Sequence, residues 1–338
     1  MKALNGLLIL PVTLAVPSMA QSHYLNWANV QTSAAPSPRL CAGIAYDGAT
    51  QSTLLFGGGN CNGTPSSTWD DTWSWQGGKW FQLSPATSPS SRQGPGMAYD
   101  AATGTVVLFG GVNTNGTNLN DTWTWDGVTW TQQFPPVSPP GRQFDTQGMA
   151  YDAATRTVIF FGGLESNDDV LGDTWVWNGV TKTWTQQLPV SSPSARRTMI
   201  AYDAANRTVV LFGGDIRNGD NGLGIYLNDT WTWDGTTWTQ QFPVSSPSAR
   251  GTASIAYDPY LGEVVLFGGS SLYATEQGLN DTWTWNGVNW TQRNPLNRPP
   301  ARWCAALDFN APSKGLLLFG GEGNNDVFLN DTWFLLVE

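Results

Sequence analysis

With one histidine, His23, and three cysteines, Cys41, Cys61 and Cys304, the 338-residue chain is nearly devoid of imidazole and thiol groups. No CxxC pair occurs, so neither a Cys/His zinc site nor a dithiol redox centre has its ligands. Charge is scarce too, at 12% of residues, and it leans acidic: 16 Lys and Arg stand against 26 Asp and Glu, a net charge of -10. A nucleic-acid backbone and an anionic membrane surface both attract cations, so neither is an expected partner. The chain's one extended apolar run, Leu7 to Val16, is too short to span a bilayer comfortably. Behind Lys2 and ahead of the small residues Ser18-Met19-Ala20, it reads as an export signal cleaved after Ala20. The expected product is a secreted or periplasmic soluble monomer that starts near Gln21, in a compartment that permits disulfides.

What is abundant is glycine, threonine and tryptophan, a composition suited to strands joined by turns. An Asp-Thr-Trp tripeptide recurs six times, from Asp71, Asp121, Asp173, Asp229, Asp281 and Asp331, at intervals of 50, 52, 56, 52 and 50 residues. Ahead of each lies an apolar run closed by a double glycine, such as "TVVLFGG" ending at Gly111. Ahead of that come an arginine (Arg39, Arg92, Arg142, Arg196, Arg250, Arg302) and then "AYD" or a close variant. A period near fifty with β signals and paired glycines marks a radial array. Each repeat resolves into four strands: one ending in "AYD", the apolar run, "DTWTW" and "TWTQQ". Period two places Trp123 and Trp125 on one face of the third strand, opposite Thr122 and Thr124. Large residues on one face and small ones on the other let neighbouring sheets interlock.

These features resemble the kelch-repeat β-propellers of the galactose-oxidase central-domain type. The carriers are four apolar residues (Val106 to Phe109), the double glycine Gly110-Gly111 and the spaced aromatics Trp123 and Trp130, repeated in register over essentially the whole mature chain. The expected fold is all-β: a single six-bladed kelch propeller over residues 21–338, each blade of four antiparallel strands. Its blades fall at about 39–87, 92–137, 142–190, 196–245, 250–294 and 302–338. The sixth repeat stops at "NDTWFLLVE" without a fourth strand. Placing Trp27 over Trp130 makes a strand at about His23 to Val30 the missing piece, which closes the last blade and removes open edges.

The recurrence separates scaffold from site. Tryptophans present in every repeat read as inter-blade core rather than sugar platforms, since each removes ~150–250 Å² from water. Arginine and aspartate, six of each on one face, read as repeated pairs fixing the loops; a ring of arginines capturing an anion is the alternative. Asparagine ahead of the aspartate in "NDT" reads as turn chemistry rather than as a glycan acceptor. Function is then expected where repeats differ, in the loops between second and third strands. The longest, "DIRNGDNGLGIYLN", carries Asp215, Arg217, Asp220 and Tyr226, with Tyr273 and Phe328 on neighbouring loops. Glu165, Asp168, Asp169, Glu276, Glu322 and Asp326 stand on the same face, and the set suits a sugar or a peptide. Calcium is a side expectation at Asp215, Asp220, Asp168 and Asp169, although neither loop has the twelve-residue calcium spacing; no other cofactor is expected. Cys41–Cys61 is the preferred disulfide, with a Cys304 bond across the closure as its alternative.

The galactose-oxidase resemblance implies a copper held by two histidines and two tyrosines, which a chain with one histidine cannot build. A second resemblance, to exported six-bladed kelch proteins that interconvert sialic-acid anomers, implies an acid/base and an anion-binding arginine. Glu165 or Glu322 with Arg217 would supply them. The favoured reading is a secreted, non-catalytic module that binds a carbohydrate or extracellular protein through its loop face. A sugar-active enzyme and a structural envelope or matrix protein are the alternatives. A carboxylate with a strongly raised pKa in a deep channel pocket would favour the enzyme.

Overall fold

A computed structural model describes residues 24–60, 67–144, 147–165, 169–217, 224–271 and 277–337. Residues 1–23, where the export signal is expected, lie outside the described residues, as do Cys61, Asp168, Asp220, Tyr273, Glu276 and the side chain of Arg217.

Six four-stranded antiparallel sheets follow one another along the chain. The second is typical: Gly96–Asp100 lies innermost, then Thr105–Phe109, Thr122–Trp125 and, outermost, Trp130–Gln133. The apolar second strands are buried throughout, in keeping with cover on both faces. The sixth sheet is assembled from both ends of the chain. Its outermost strand, Leu25–Val30, pairs with Thr332–Val337, with Trp27 opposite Leu335. The innermost strand of every sheet contacts that of the next, and the strands starting at Gly43 and Ala306 join first sheet to last. The six inner strands thus ring a central axis.

Two bonds repeat between sheets all the way round. The outer-strand tryptophan donates its Nε1–H to a buried threonine of the preceding sheet at 2.9–3.1 Å: Trp80 to Thr332, Trp130 to Thr72, Trp184 to Thr122, Trp238 to Thr174, Trp290 to Thr230 and Trp27 to Thr282. The second glycine of each pair donates its backbone N–H to the carbonyl of the next sheet's arginine at 2.8–3.1 Å, from Gly58 to Arg92 round to Gly321 to Arg39. This approach explains the double glycine. Gly57 has φ +65°, and a Cβ there would lie 2.5 Å from the Arg92 carbonyl oxygen. Apolar clusters fill the same interfaces; Leu54 and Phe56 of the first sheet meet Val106, Leu108, Trp125 and Trp130 of the second.

The arginines and aspartates are joined one to one within sheets, at 2.5–2.6 Å: Arg39–Asp71, Arg92–Asp121, Arg142–Asp173, Arg196–Asp229, Arg250–Asp281 and Arg302–Asp331. Each contact is two-pronged. Each arginine also donates to the carbonyl of its sheet's first paired glycine, and the aspartate accepts from the indole two residues on, the tryptophan of "DTW". The guanidinium groups are buried, so they do not form an open anion-binding ring. Burial pushes the carboxyls of Asp121, Asp173, Asp281 and Asp331 up, and their arginines more than offset this, leaving all four below the ordinary range.

Replacing Arg142 with leucine strands the Asp173 carboxylate and should cost about 3–5 kcal/mol in urea unfolding. Trp27→Phe removes the Nε1 bond to Thr282 and leaves a void where the larger indole packed on Phe267, and it should cost roughly 2–4 kcal/mol. Because the four aspartate pKa values are lowered on folding, their contribution is full above the ordinary carboxylate range and is lost as pH falls through the folded values. The Arg142→Leu penalty should therefore shrink as the pH is taken down from above 3.8.

Candidate binding surface and axial channel

Two places on this frame depart from the repeat. The first is the face that carries the arginines. In the third sheet the second and third strands run on past the double glycine as Thr157–Leu164 and Val170–Asn178; in the fourth they run as Thr208–Arg217 and Gly224–Trp233. Each register shifts at the glycines, between Phe161 and Gly163 and between Phe212 and Gly214, and the hairpins then continue beyond the ring. In the sixth sheet a separate ribbon forms, with Glu322 between Trp303 and Phe328.

The candidate residues on this face are spread over these hairpins. Asp215 is buried, and both its oxygens are engaged by Arg197, with Nη2–Oδ2 at 2.9 Å. It pins the hairpin to the inner strand and does not present itself as a free ligand. Tyr226 lies across the strand from Asp215, and its ring rests on Gly251 of the fifth sheet. Phe328 is half-buried on a cluster of Leu40, Cys41, Trp303 and Cys304. Glu322 is buried, Glu165 is part-exposed, and Asp169 and Asp326 are exposed. Arg217 ends the long strand of the fourth sheet. Of the residues offered to calcium, Asp168 and Asp220 are outside the described residues. Among the described residues no three His, Cys, Asp or Glu side chains gather as a metal site. Cys41 is the described half of the preferred disulfide, Cys61 lying outside the described residues. Its backbone N–H donates to the Cys304 carbonyl at 2.9 Å, so the lead-in segments of first and last sheets touch.

The second departure is axial and was not anticipated from the sequence. At the arginine end the lead-in segments of successive sheets bond to one another around the axis: Cys304 to Thr252, Cys41 to Cys304, Gly94 to Cys41 and Phe144 to Gly94, through backbone N–H and C=O at 2.8–2.9 Å. Beyond this iris lies a cavity of about 210 Å³. Tyr46, Tyr99, Tyr151, Tyr202 and Tyr257, the tyrosines of "AYD", form a collar around it, toward the face opposite the hairpins. The sixth sheet alone breaks the pattern. There "AYD" becomes Asp308-Phe309-Asn310, so a carboxylate stands on the channel wall where five sheets have Ala45, Ala98, Ala150, Ala201 and Ala256.

Asp308 accepts from the backbone N–H of Tyr46 on the first sheet, at 2.6 Å, and of Phe309, at 2.8 Å. Burial pushes its carboxyl up to about 6, against the opposing pull of those two bonds. The neighbouring field is negative as well. Burial first, and then the turn aspartates Asp47, Asp100, Asp152 and Asp203, push the five collar phenols upward; Arg156 and Arg207 partly offset this at Tyr151 and Tyr202. The signal was present in the sequence: where a repeat holds five times, the sixth copy's "LDF" is the informative one.

Asp308 costs stability as a charge. Its folded pKa lies above the ordinary value of 3.8, so the penalty is absent below that value and complete above about 6. Asp308→Ala, which gives the sixth sheet the residue of the other five, should gain on the wild type by roughly 3 kcal/mol between pH 3.5 and 7.5. Chemical denaturation at both pH values measures the change.

Comparison with known proteins agrees with this architecture. Residues 18–197 and 155–338 match the KLHDC2/KLHL20/DRC7 Kelch-repeats domain. Among curated proteins, multiple epidermal growth factor-like domains protein 8 of Mus musculus and of Rattus norvegicus are each 31% identical over 175 residues. The Homo sapiens protein of that name is 29% identical over 174 residues. These alignments cover 48% of this chain and 6% of each relative, so the chain corresponds to a small part of those proteins. The double glycines, the latched tryptophans and the family match over nearly the whole length lead to one conclusion: the chain belongs to the kelch-repeat family and folds as a kelch β-propeller.

Proposed function

We propose that the chain is an exported, non-catalytic binding module whose partner is an extracellular protein held on the hairpin face. The observation that carries this reading is the division of labour in the ring. Every repeated arginine, aspartate and outer-strand tryptophan is engaged within the frame. The hairpins of the third and fourth sheets run on past the ring, and one of them is based through Arg197 and Asp215. Ile225, a large apolar side chain, stands exposed on the longer hairpin. Kelch membership supports a protein partner over a carbohydrate. The export segment, read from Lys2, Leu7 to Val16 and Ser18-Met19-Ala20, supports an extracellular setting.

A second reading, an enzyme acting on a small sugar, has Asp308 in its favour, a carboxyl whose pKa suits proton transfer near neutrality. Anomer exchange of a sialic acid, followed by NMR with wild type and Asp308→Ala, tests it: exchange that depends on Asp308 would displace the binding reading.

A photo-crosslinking side chain placed at Ile225 in the producing cells should trap one defined protein. The same group at Val128, exposed on an outer-strand turn, should not. Equal crosslinking from both positions, or none from Ile225, would overturn the assignment of the face.

A further inference from the structure

We propose that the axial channel is a binding site for a small organic ammonium compound, with Asp308 as its counter-ion and the tyrosine collar as its walls. The site is independent of the hairpin face, since it lies beyond the iris, at the other end of the inner strands.

The chemistry of the walls selects the ligand. A carboxylate projects into a cavity lined by five phenol rings and Phe309, and no lysine, arginine or histidine is among the lining residues. Aromatic faces attract cations, and an ammonium on Asp308 would gain both the charge and the π surface. The buried turn aspartates add to the negative potential, and after burial they are the next cause of the raised phenols at Tyr46, Tyr99 and Tyr257. The protein's net charge of -10 favours cations at longer range. A hard metal ion suits the site less well, because calcium takes six to eight oxygens, mostly from carboxylates and carbonyls, and Asp308 is the one carboxylate among the lining residues. An anionic sugar would meet an uncompensated like charge. A cavity of about 210 Å³ limits the occupant to a small molecule or the tip of a side chain.

The backbone donors Tyr46 and Phe309 hold the carboxylate in place, one on each oxygen, and leave its remaining lone pairs for a ligand. Ligand binding would then offset the electrostatic cost that Asp308 imposes on the empty fold. The charged or titratable groups facing Asp308 are Tyr46 and Asp47 on the first sheet's inner strand and Tyr257 and Asp258 on the fifth's. The second strands of the first and sixth sheets bring none. Of these groups, Asp308 has its folded pKa at about 6, so protonation there should release the ligand.

The test is calorimetric titration of the mature protein with n-butylammonium, with n-butanol as the neutral match and a sialic acid as the anionic control. At pH 7.5 butylammonium should bind at least tenfold more tightly than butanol, and the sialic acid should not bind. Asp308→Ala and Asp308→Ser, each checked for an unchanged fold by circular dichroism, should abolish the preference, as should pH 4.5 in the wild type. Equal affinity for butylammonium and butanol, preference retained in both variants, or binding of the sialic acid at this site would each overturn the proposal. A short peptide with a single lysine distinguishes the source. Displacement of butylammonium identifies a protein side chain as the occupant, and failure to displace identifies a free amine, with ammonium recognition supported in either case.

Discussion

The structure depends on one recurring contact, the hydrogen bond from an outer-strand tryptophan to a threonine buried in the preceding sheet. A single four-stranded sheet of this kind has two apolar faces and cannot stand alone in water. The indole supplies about 4–6 kcal/mol of burial before entropy is counted, and a buried N–H without an acceptor gives part of that back. The threonine meets that need from the neighbouring sheet, so each sheet's buried outer-strand indole is correctly placed only when the ring is assembled. That constraint explains why "DTWTWDGVTWTQQFP" is written twice nearly unchanged, and why Thr72, Thr122 and their equivalents are buried hydroxyls on apolar-lined strands.

Closure follows from the same contact. Trp27 belongs to a strand at the start of the described chain, yet it binds Thr282 of the fifth sheet, while Trp80 of the first sheet binds Thr332 of the last. The N-terminal strand thus gives the last sheet its latch, so first and last sheets bond as any other neighbours do. The arginine–aspartate pairs act at right angles to this, within sheets, tying each lead-in segment to its own double glycine and third strand. A third repeated set, the "AYD" aspartates Asp47, Asp100, Asp152, Asp203 and Asp258, accepts the backbone N–H bonds of the turns that follow.

Much of this was legible in the sequence because symmetry amplifies weak signals. One "LFGG" or one "DTW" says little, but six in register give the strand order, the inner and outer positions and the closing role of Trp27. The loop face was legible only as variability. Variation identified the hairpins around Asp215 and Tyr226, but it did not reveal that Asp215 is consumed by Arg197, because pairing across a register shift leaves no trace in spacing. Asp308 was missed for the opposite reason. Attention to loops assumed that inner strands are scaffold, whereas a substitution of Ala by Asp within the most regular part of the repeat places a charge on the channel wall.

The central claim is that the ring forms one cooperative unit held by inter-sheet latches. Native-state hydrogen exchange on the second-glycine amides Gly58, Gly111, Gly163, Gly214, Gly269 and Gly321, each bonded to the next sheet, measures it directly. A shared opening free energy that falls together in a Trp27→Ala variant is the predicted result. Six different values, with only Gly269 and Gly321 responding to the loss of Trp27, would contradict it and describe six sheets that open one by one.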